Sequence, residues 1–234
     1  MKGFLSAIAA LLFVLCIPLF LITIDLWFTA SNIRLYEYDY DHYPVGIGTG
    51  LEKEEFLDVA DGIITYFKSD REYLDTAVFN QREIEHMKDV KGLIRLARNL
   101  MWLSMSCIVI YIAIMFALLR GAFWRVLAKR LFQGSALTVI FLAFLGLWAL
   151  IDFDSLFLCF HKVSFSNNLW QLAPGDNLGI MFPEEFFRDA ALFIAAVTLG
   201  EAILIAAVTG ILLKVPGRKQ GLTINVESDW TRED

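Results

Sequence analysis

Long apolar runs alternate with charged segments along the chain. Four of these runs have about the 20 residues that a helix needs to cross roughly 30 Å of hydrocarbon. Because hydrocarbon offers the backbone no hydrogen-bond partners, each run is expected to be helical. The first run is longer than the apolar part of a signal peptide, so we expect it to be retained as an anchor. Transmembrane helices are therefore predicted at residues 1–30, 99–120, 131–151 and 190–213.

The positive charges that flank the apolar runs indicate the orientation of the chain. Lysine and arginine are concentrated in the connection between the second and third runs, which has no acidic residue, and they follow the fourth run. Cytoplasmic loops of membrane proteins carry such an excess. We predict that residues 121–130 form a cytoplasmic loop, that residues 214–234 form a cytoplasmic tail, and that both termini lie in the cytoplasm.

Residues 31–98 are too many for a simple connection and are predicted to fold as an extracellular cap. Ile33–Tyr40 alternates with a period of two, which predicts a strand, and the glycine-rich residues 46–50 predict a loop. Leu51–Phe67 has apolar residues at helical spacing, and Glu83–Arg98 is predicted as a helix that runs into the second span. The prediction is a mainly α membrane protein with a mixed α/β cap.

Residues 152–189 form the second predicted extracellular segment and are rich in Phe and Trp, which is typical of a segment lying along the membrane interface. No nucleotide-binding loop and no surface for nucleic acid is recognisable in the sequence. Cys16 and Cys107 lie inside apolar runs, so a disulfide framework is not expected. We predict a monomer without a cofactor.

The chain contains three histidines, all in the two predicted extracellular segments: His42, His86 and His161. Neutral histidine exchanges protons readily near pH 7. His86 precedes the second span and His161 follows the third, so both belong to the same end of the bundle. A divalent metal held by these two with Asp89 and Asp152 or Asp154 is an alternative, but we predict no metal site.

Other features leave different functions open. Glu201 interrupts the fourth apolar run, and a carboxylate in hydrocarbon must face the bundle interior or a polar cavity. A small transporter would depend on it. A receptor or accessory protein that binds a partner through the cap is a further alternative. Paired histidines at one membrane face favour an enzyme, because a binding protein has no need of them. Cys159 is interpreted as an apolar filler rather than a nucleophile.

Two motifs narrow these alternatives. The first has the pattern Glu-x-x-His-Met-x-Asp-Val over residues 83–90. The second has the pattern Phe-His-x-x-x-Phe-x-Asn-x-x-Trp-x-Leu-x-Pro-x-Asp over residues 160–176, and Phe-Pro-Glu-x-Phe-Phe follows at residues 182–187. Together they resemble the signatures of the Lit family, which are bacterial lipoprotein intramolecular transacylases. The resemblance extends over nearly the whole chain.

The resemblance implies a reaction at the extracellular face of the bacterial cytoplasmic membrane. The expected partners are membrane lipid and a lipoprotein whose N-terminal cysteine carries a diacylglyceryl group. The sn-2 acyl chain is expected to move to the α-amino group of that cysteine, which gives a lyso-form lipoprotein. His86 and His161 are the expected catalytic residues. Candidates for substrate binding or for the oxyanion are Arg34, Tyr38, Phe165, Asn167, Asn168, Trp170 and Asp176.

Overall fold

The computed structural model describes residues 2–214, and within this range the chain is helical without any strand. A 3₁₀ turn, Arg120–Ala122, connects two of the nine α-helices. The predicted tail lies outside the described residues, apart from Lys214. The α-helices are α1 Lys2–Ala30, α2 Ile33–His42, α3 Val45–Thr49, α4 Lys53–Lys68, α5 Gln81–Leu119, α6 Phe123–Ile151, α7 Phe153–Ser164, α8 Asn177–Met181 and α9 Glu184–Lys214.

The helices α1, α5, α6 and α9 are each long and apolar enough to cross a membrane, which confirms the four predicted spans. Helix α1 packs against the other three, and α6 packs along α9. Phe13 and Ile17 of α1 are buried among these helices, and the Phe13 ring lies 4.3 Å from that of Tyr111 on α5. At 1.5 Å per residue, the 39 residues of α5 extend roughly 58 Å, so its first half projects beyond the hydrocarbon.

The first half of α5 combines with α2, α3, α4 and α8 into a helical cap at one end of the bundle. Its core contains the apolar side chains of α4, namely Phe56, Ala60, Ile63, Ile64 and Phe67, together with Tyr36 of α2 and Met181 of α8. The predicted helix at Leu51–Phe67 is confirmed by α4. Residues 46–49, predicted as part of a loop, instead belong to the short helix α3, and Gly50 caps its C-terminus with φ of 75°.

The predicted α/β cap is wrong, because Ile33–Tyr40 forms helix α2 and not a strand. The Asn32 side chain accepts a hydrogen bond from the Arg34 N–H and caps the helix. Tyrosine hydroxyls then connect α2 to its surroundings: Tyr36 donates to the Ala30 carbonyl and Tyr40 to the Leu51 carbonyl. These contacts stabilise a helix in a segment whose local composition favours a strand.

The connections between the spans are shorter and more ordered than their sequence indicates. Residues 121–130, predicted as a loop, belong mainly to α6, which begins at Phe123. The aromatic segment 152–189 contains α7, α8 and the first turns of α9. Helix α7 begins where the Asp152 carboxylate accepts a hydrogen bond from the Ser155 N–H. It is this helix that carries His161 toward the cap.

Candidate active site

His161 lies in the last turn of α7, with 9% of its surface exposed. Its Nδ1 is 2.8 Å from the Phe157 carbonyl oxygen, one turn earlier on the same helix. Because a carbonyl oxygen only accepts, Nδ1 carries the proton and donates it, which leaves the lone pair on Nε2. Aromatic rings surround this imidazole at centroid distances of 4.4 to 5.6 Å: Phe157, Phe160, Phe165 and Trp170.

His86 lies on the second turn of α5, with 7% of its surface exposed. Its ring packs against the edge of Phe165, at a centroid distance of 5.1 Å. Within residues 2–214, the buried Nδ1 of His86 has no hydrogen-bond partner. Both imidazoles therefore contact the same phenylalanine ring, and the structure brings together His86, His161, Phe165 and Trp170 from the predicted set.

Burial lowers the pKa of both imidazoles. The pKa of His86 falls from 6.5 to about 4, mainly because burial disfavours the charged ring and also because His161 lies nearby, while the Asp89 carboxylate opposes the change. Burial also lowers the pKa of His161, against the effect of the hydrogen bond to Phe157. Near pH 7 both rings are therefore neutral, the form that accepts a proton. Their proximity also disfavours protonating both at once.

Hydrogen bonds hold the loop that follows α7 against α5. The Asn167 amide donates to Asp89, one turn beyond His86 on α5, at 2.8 Å. The Arg82 guanidinium donates to the carbonyl of Asn168 at 2.7 Å. The Asn80 amide donates to Asp176 at 2.9 Å. These three bonds hold the second motif against the N-terminal part of α5, and the bond from Asn167 to Asp89 joins the two motifs directly.

Glu83 is a buried residue to which the sequence assigned no role. Its carboxylate accepts from the Asn80 N–H and from the Leu178 N–H of α8, both at 2.6 Å. The Asn80 side chain in turn accepts from the Glu83 N–H, so the two residues form a reciprocal cap at the start of α5. The Asn-x-x-Glu spacing is the sequence signal for this cap, but the tie to α8 has no signal in the local sequence.

Arg34 and Tyr38 lie in a different place from the other predicted site residues. They line a cavity of about 1330 Å³ between α1, α2, α4 and α9, and neither histidine belongs to its lining. The Tyr38 hydroxyl donates to Asp189 at 2.8 Å. His42 is exposed and stacks on Tyr38, at a centroid distance of 3.9 Å.

The metal alternative, Cys159 and Glu201 were the other features that the sequence left open, and they do not form a common site. In residues 2–214, no three His, Cys, Asp or Glu side chains converge as metal ligands would. Cys159 is a half-buried free thiol on α7. Glu201 is half-buried on α9, one turn beyond Thr198, whose hydroxyl donates to Asp25 at 2.5 Å.

Fold and site together define a multi-pass membrane protein with two buried imidazoles at the cap end of the bundle. Comparison with known proteins identifies the family. The model of the family described as lipoprotein intramolecular transacylase Lit matches residues 11–187. The chain belongs to the Lit family, which confirms the resemblance seen in the two motifs.

Solved structures agree with this assignment. The structure of the membrane integral lipoprotein intramolecular transacylase Lit from Bacillus cereus superposes with a TM-score of 0.77 and 26% sequence identity, over 91% of this chain and 97% of that one. Its histidine-to-arginine variant superposes with a TM-score of 0.74 over 91% of this chain and 94% of that one. An uncharacterized protein from Aquifex aeolicus (strain VF5) is 29% identical over 188 residues, 76% of this chain and 82% of its own.

Proposed function

We propose that this protein is a lipoprotein intramolecular transacylase that moves the sn-2 acyl chain of a diacylglyceryl group onto the α-amino group of the N-terminal cysteine. The observation that carries this proposal is the pair of buried imidazoles of His86 and His161, which both pack against the ring of Phe165. Family membership supports the acyl-transfer class. The protein has to transfer protons but need not supply a nucleophile, because the substrate carries both the attacking amine and the ester.

The proposed step begins with the neutral α-amine, which remains after the ammonium form, of ordinary pKa about 8, has released one proton to solvent. Nε2 of His161 accepts one of the two remaining protons as the nitrogen attacks. The amine nitrogen then forms a bond to the ester carbonyl carbon. When the tetrahedral intermediate collapses, the bond from that carbon to the glyceryl oxygen breaks, and the oxygen leaves with the electron pair. A protonated imidazole returns one proton to this oxygen. The product is an amide and a free hydroxyl, with no change in total mass.

The aromatic rings around His161 suit this chemistry. They exclude water, which would hydrolyse the ester, and they keep the imidazole neutral. Attack passes through a medium-sized ring that is rarely populated in free substrate. Holding the amine against the ester can contribute roughly 7–11 kcal/mol at best. Asn167 and Asn168 follow α7 on the loop that is hydrogen-bonded to Asp89 and Arg82 of α5. We propose that their amide or backbone N–H groups stabilise the oxyanion. His86 assists or donates the proton.

Mass spectrometry of a lipoprotein's N-terminal peptide tests the proposal. Diacylglyceryl lipoprotein incubated with the purified protein should give a peptide of unchanged mass in which fragmentation places one acyl group on nitrogen. His86→Ala and His161→Ala should each lower the rate by about 100-fold or more, since general acid–base catalysis contributes about that much. His42→Ala is the matched control, because His42 is exposed and lies away from both imidazoles.

The variants also distinguish the alternatives. Full activity in both His86→Ala and His161→Ala would contradict the assignment of the two histidines as catalytic residues. Loss of function in Glu201→Gln, with full function in the histidine variants, would favour a transporter. An unchanged peptide from folded wild-type protein with adequate substrate would favour a receptor or accessory role.

We further propose that the site faces the outside of the bacterial cytoplasmic membrane, with both termini in the cytoplasm.

A further inference from the structure

Helix α7 leaves a row of apolar side chains open beside the membrane-spanning bundle. Leu156, Phe160 and Val163 follow one another at intervals of four and three residues, so they lie on one face of the helix. Phe160 and Val163 have 50% and 82% of their surfaces exposed, and Leu156 is half-buried. Residues 2–214 therefore leave most of this apolar face uncovered.

The other two faces of α7 have different surroundings. His161 is buried and Phe157 is half-buried on the face that packs inward. Ser155 and Lys162 lie two turns apart on a third face, where Lys162 is exposed and Leu158 is the exposed apolar neighbour. A helix with a polar face and a separate apolar face lies in the plane of the membrane interface. Helix α7 thus has one face for the histidine site, one for water and one for an apolar medium.

Polar residues keep both ends of α7 near water. Asp152 and Asp154 at its start are exposed, and so are residues 166–168 beyond its end. Its 12 residues extend roughly 18 Å, which is too short to cross about 30 Å of hydrocarbon. Because neither end is suited to hydrocarbon, the axis of α7 has to lie along the membrane surface.

The open row continues the lipid-facing surface of the spans. Only Asp152 separates α7 from α6, whose last residues Leu150 and Ile151 have 77% and 75% of their surfaces exposed. Helix α6 is long and apolar enough to cross the membrane, so lipid covers these two side chains. The same lipid reaches the apolar face of α7 without the help of another molecule, and lipid is therefore the occupant that the structure favours.

We propose that α7 lies in the leaflet on the cap side, with Leu156, Phe160 and Val163 inserted among the acyl chains and Lys162 among the headgroups. Helices of this kind enter the boundary between headgroups and acyl chains by about 5–10 Å. The insertion holds His161, the residue after Phe160, at the depth of the glyceryl esters. The insertion itself does not depend on the proposed acyl transfer, whereas its consequence for His161 rests on that proposed function.

Fluorescence quenching in nanodiscs tests the insertion. A bimane label is attached to Phe160→Cys, Val163→Cys or Lys162→Cys in a folded chain without its native cysteines. Phosphatidylcholine brominated on its acyl chains should quench the label at residues 160 and 163, whereas iodide in the water should quench the label at residue 162. Val163 and Lys162 are a matched pair, because they are adjacent, both exposed and on different faces. Equal quenching of these two positions by the brominated lipid would overturn the proposal.

The same measurement distinguishes other occupants of the apolar face. A second copy of the chain or a protein partner would protect the label at residue 163 from the lipid and from iodide alike, and this result would also overturn the proposal. Quenching requires no substrate. Wild-type protein that is quenched as expected but does not transfer the acyl chain would therefore contradict the proposed function and leave the insertion standing.

A charge on the apolar face tests the consequence for His161. Val163→Asp should weaken the quenching of a label at residue 160 by the brominated lipid and should lower the rate of transacylation. Val163→Leu should change neither, because it keeps the face apolar. Since residue 163 is largely exposed, both variants are expected to fold. Weakened quenching with an unchanged rate in Val163→Asp would show that the depth of α7 does not determine the position of His161.

Discussion

His86 and His161 occupy positions that a purely structural residue would rarely take. A buried ring nitrogen without a partner costs about 1–3 kcal/mol, and Nδ1 of His86 is such an atom within the described residues. Leu or Phe would fill the same space beside Phe165 without this cost. Buried groups that lower stability in this way are concentrated at functional sites, where their chemistry is needed.

Acidification should destabilise the protein through His86. The unfolded state binds a proton at its ordinary pKa of 6.5, whereas the folded state does so only at about 4, so the free energy of unfolding falls as the pH decreases between these values. At about 1.36 kcal/mol per pKa unit, the loss is on the order of 3 kcal/mol. Thermal unfolding in detergent from pH 7 to pH 4 should show a smaller loss for His86→Gln. Parallel curves for both proteins would contradict the pKa of about 4.

Asp39 should have the opposite pH dependence. It is fully buried in the cap, and within residues 2–214 neither of its carboxylate oxygens has a partner. Burial raises its pKa from 3.8 to about 8, so its contribution to stability is complete below pH 3.8 and is lost as the pH rises toward 8. Asp39→Asn should therefore gain thermal stability relative to wild type as the pH rises from 4 to 8. Asp58→Asn, at an exposed position on α4, should show no such trend.

The sequence identified the two histidines because their chemistry is unusual and their motifs are distinctive. It could not identify Asp39 as buried, because Glu37, Asp39 and Asp41 look alike in a segment of alternating acids and aromatic residues. Only the packing of α2 on α4 turns Asp39 inward. For the same reason, Arg34 and Tyr38 were grouped with the histidines, although the fold directs them to a separate cavity.

Among the elements, the long spans were predictable and the cap was not. A helix is the only economical structure for an apolar run in hydrocarbon, so α1, α5, α6 and α9 follow from length and composition. Helix α2 has no such constraint. Its residues favour strands, and the helix is held by the Asn32 cap and by the Tyr38 hydroxyl, which donates to Asp189 of α9. Such contacts cannot be read from a local pattern.

The contact between α1 and α6 depends on the absence of a side chain at Gly134. A Cβ there would lie 2.7 Å from the Cβ of Ile17, which cannot move away easily because it is attached to the α1 backbone. Gly134→Ala should therefore destabilise the bundle by about 1–3 kcal/mol, as overpacking does. Thermal unfolding in detergent measures this loss. The matched control is Gly146→Ala on the same helix, where a Cβ would meet nothing within 4 Å.

The control should be neutral or slightly stabilising, because alanine favours helix by about 0.5–1 kcal/mol over glycine. Equal unfolding temperatures for the two variants would show that α1 and α6 separate without loss and that the close approach is not required. A loss confined to Gly134→Ala would establish that helix packing, and not helix propensity, determines the stability of the bundle at this point.

In the whole molecule, the site depends on two segments far apart in sequence. The first motif lies on the part of α5 that projects beyond the span, and the second follows α6 through α7. With four spans, both lie at the same end, and the bonds from Arg82 to Asn168 and from Asn80 to Asp176 then fix the distance between them. The even number of spans also places residues 2 and 214 at the opposite end.

The orientation of the molecule determines which side of the membrane carries the chemistry. Basic residues at the end opposite the cap predict that this end is cytoplasmic, since the positive-inside bias governs short loops. Cysteine labelling of intact cells measures it, in a folded background without the native Cys16, Cys107 and Cys159. A membrane-impermeant maleimide should label Glu54→Cys, which is exposed on α4 in the cap, and should label Lys129→Cys on α6 only after permeabilisation. The reverse pattern would place the histidine pair on the cytoplasmic side and would contradict the proposed extracellular site.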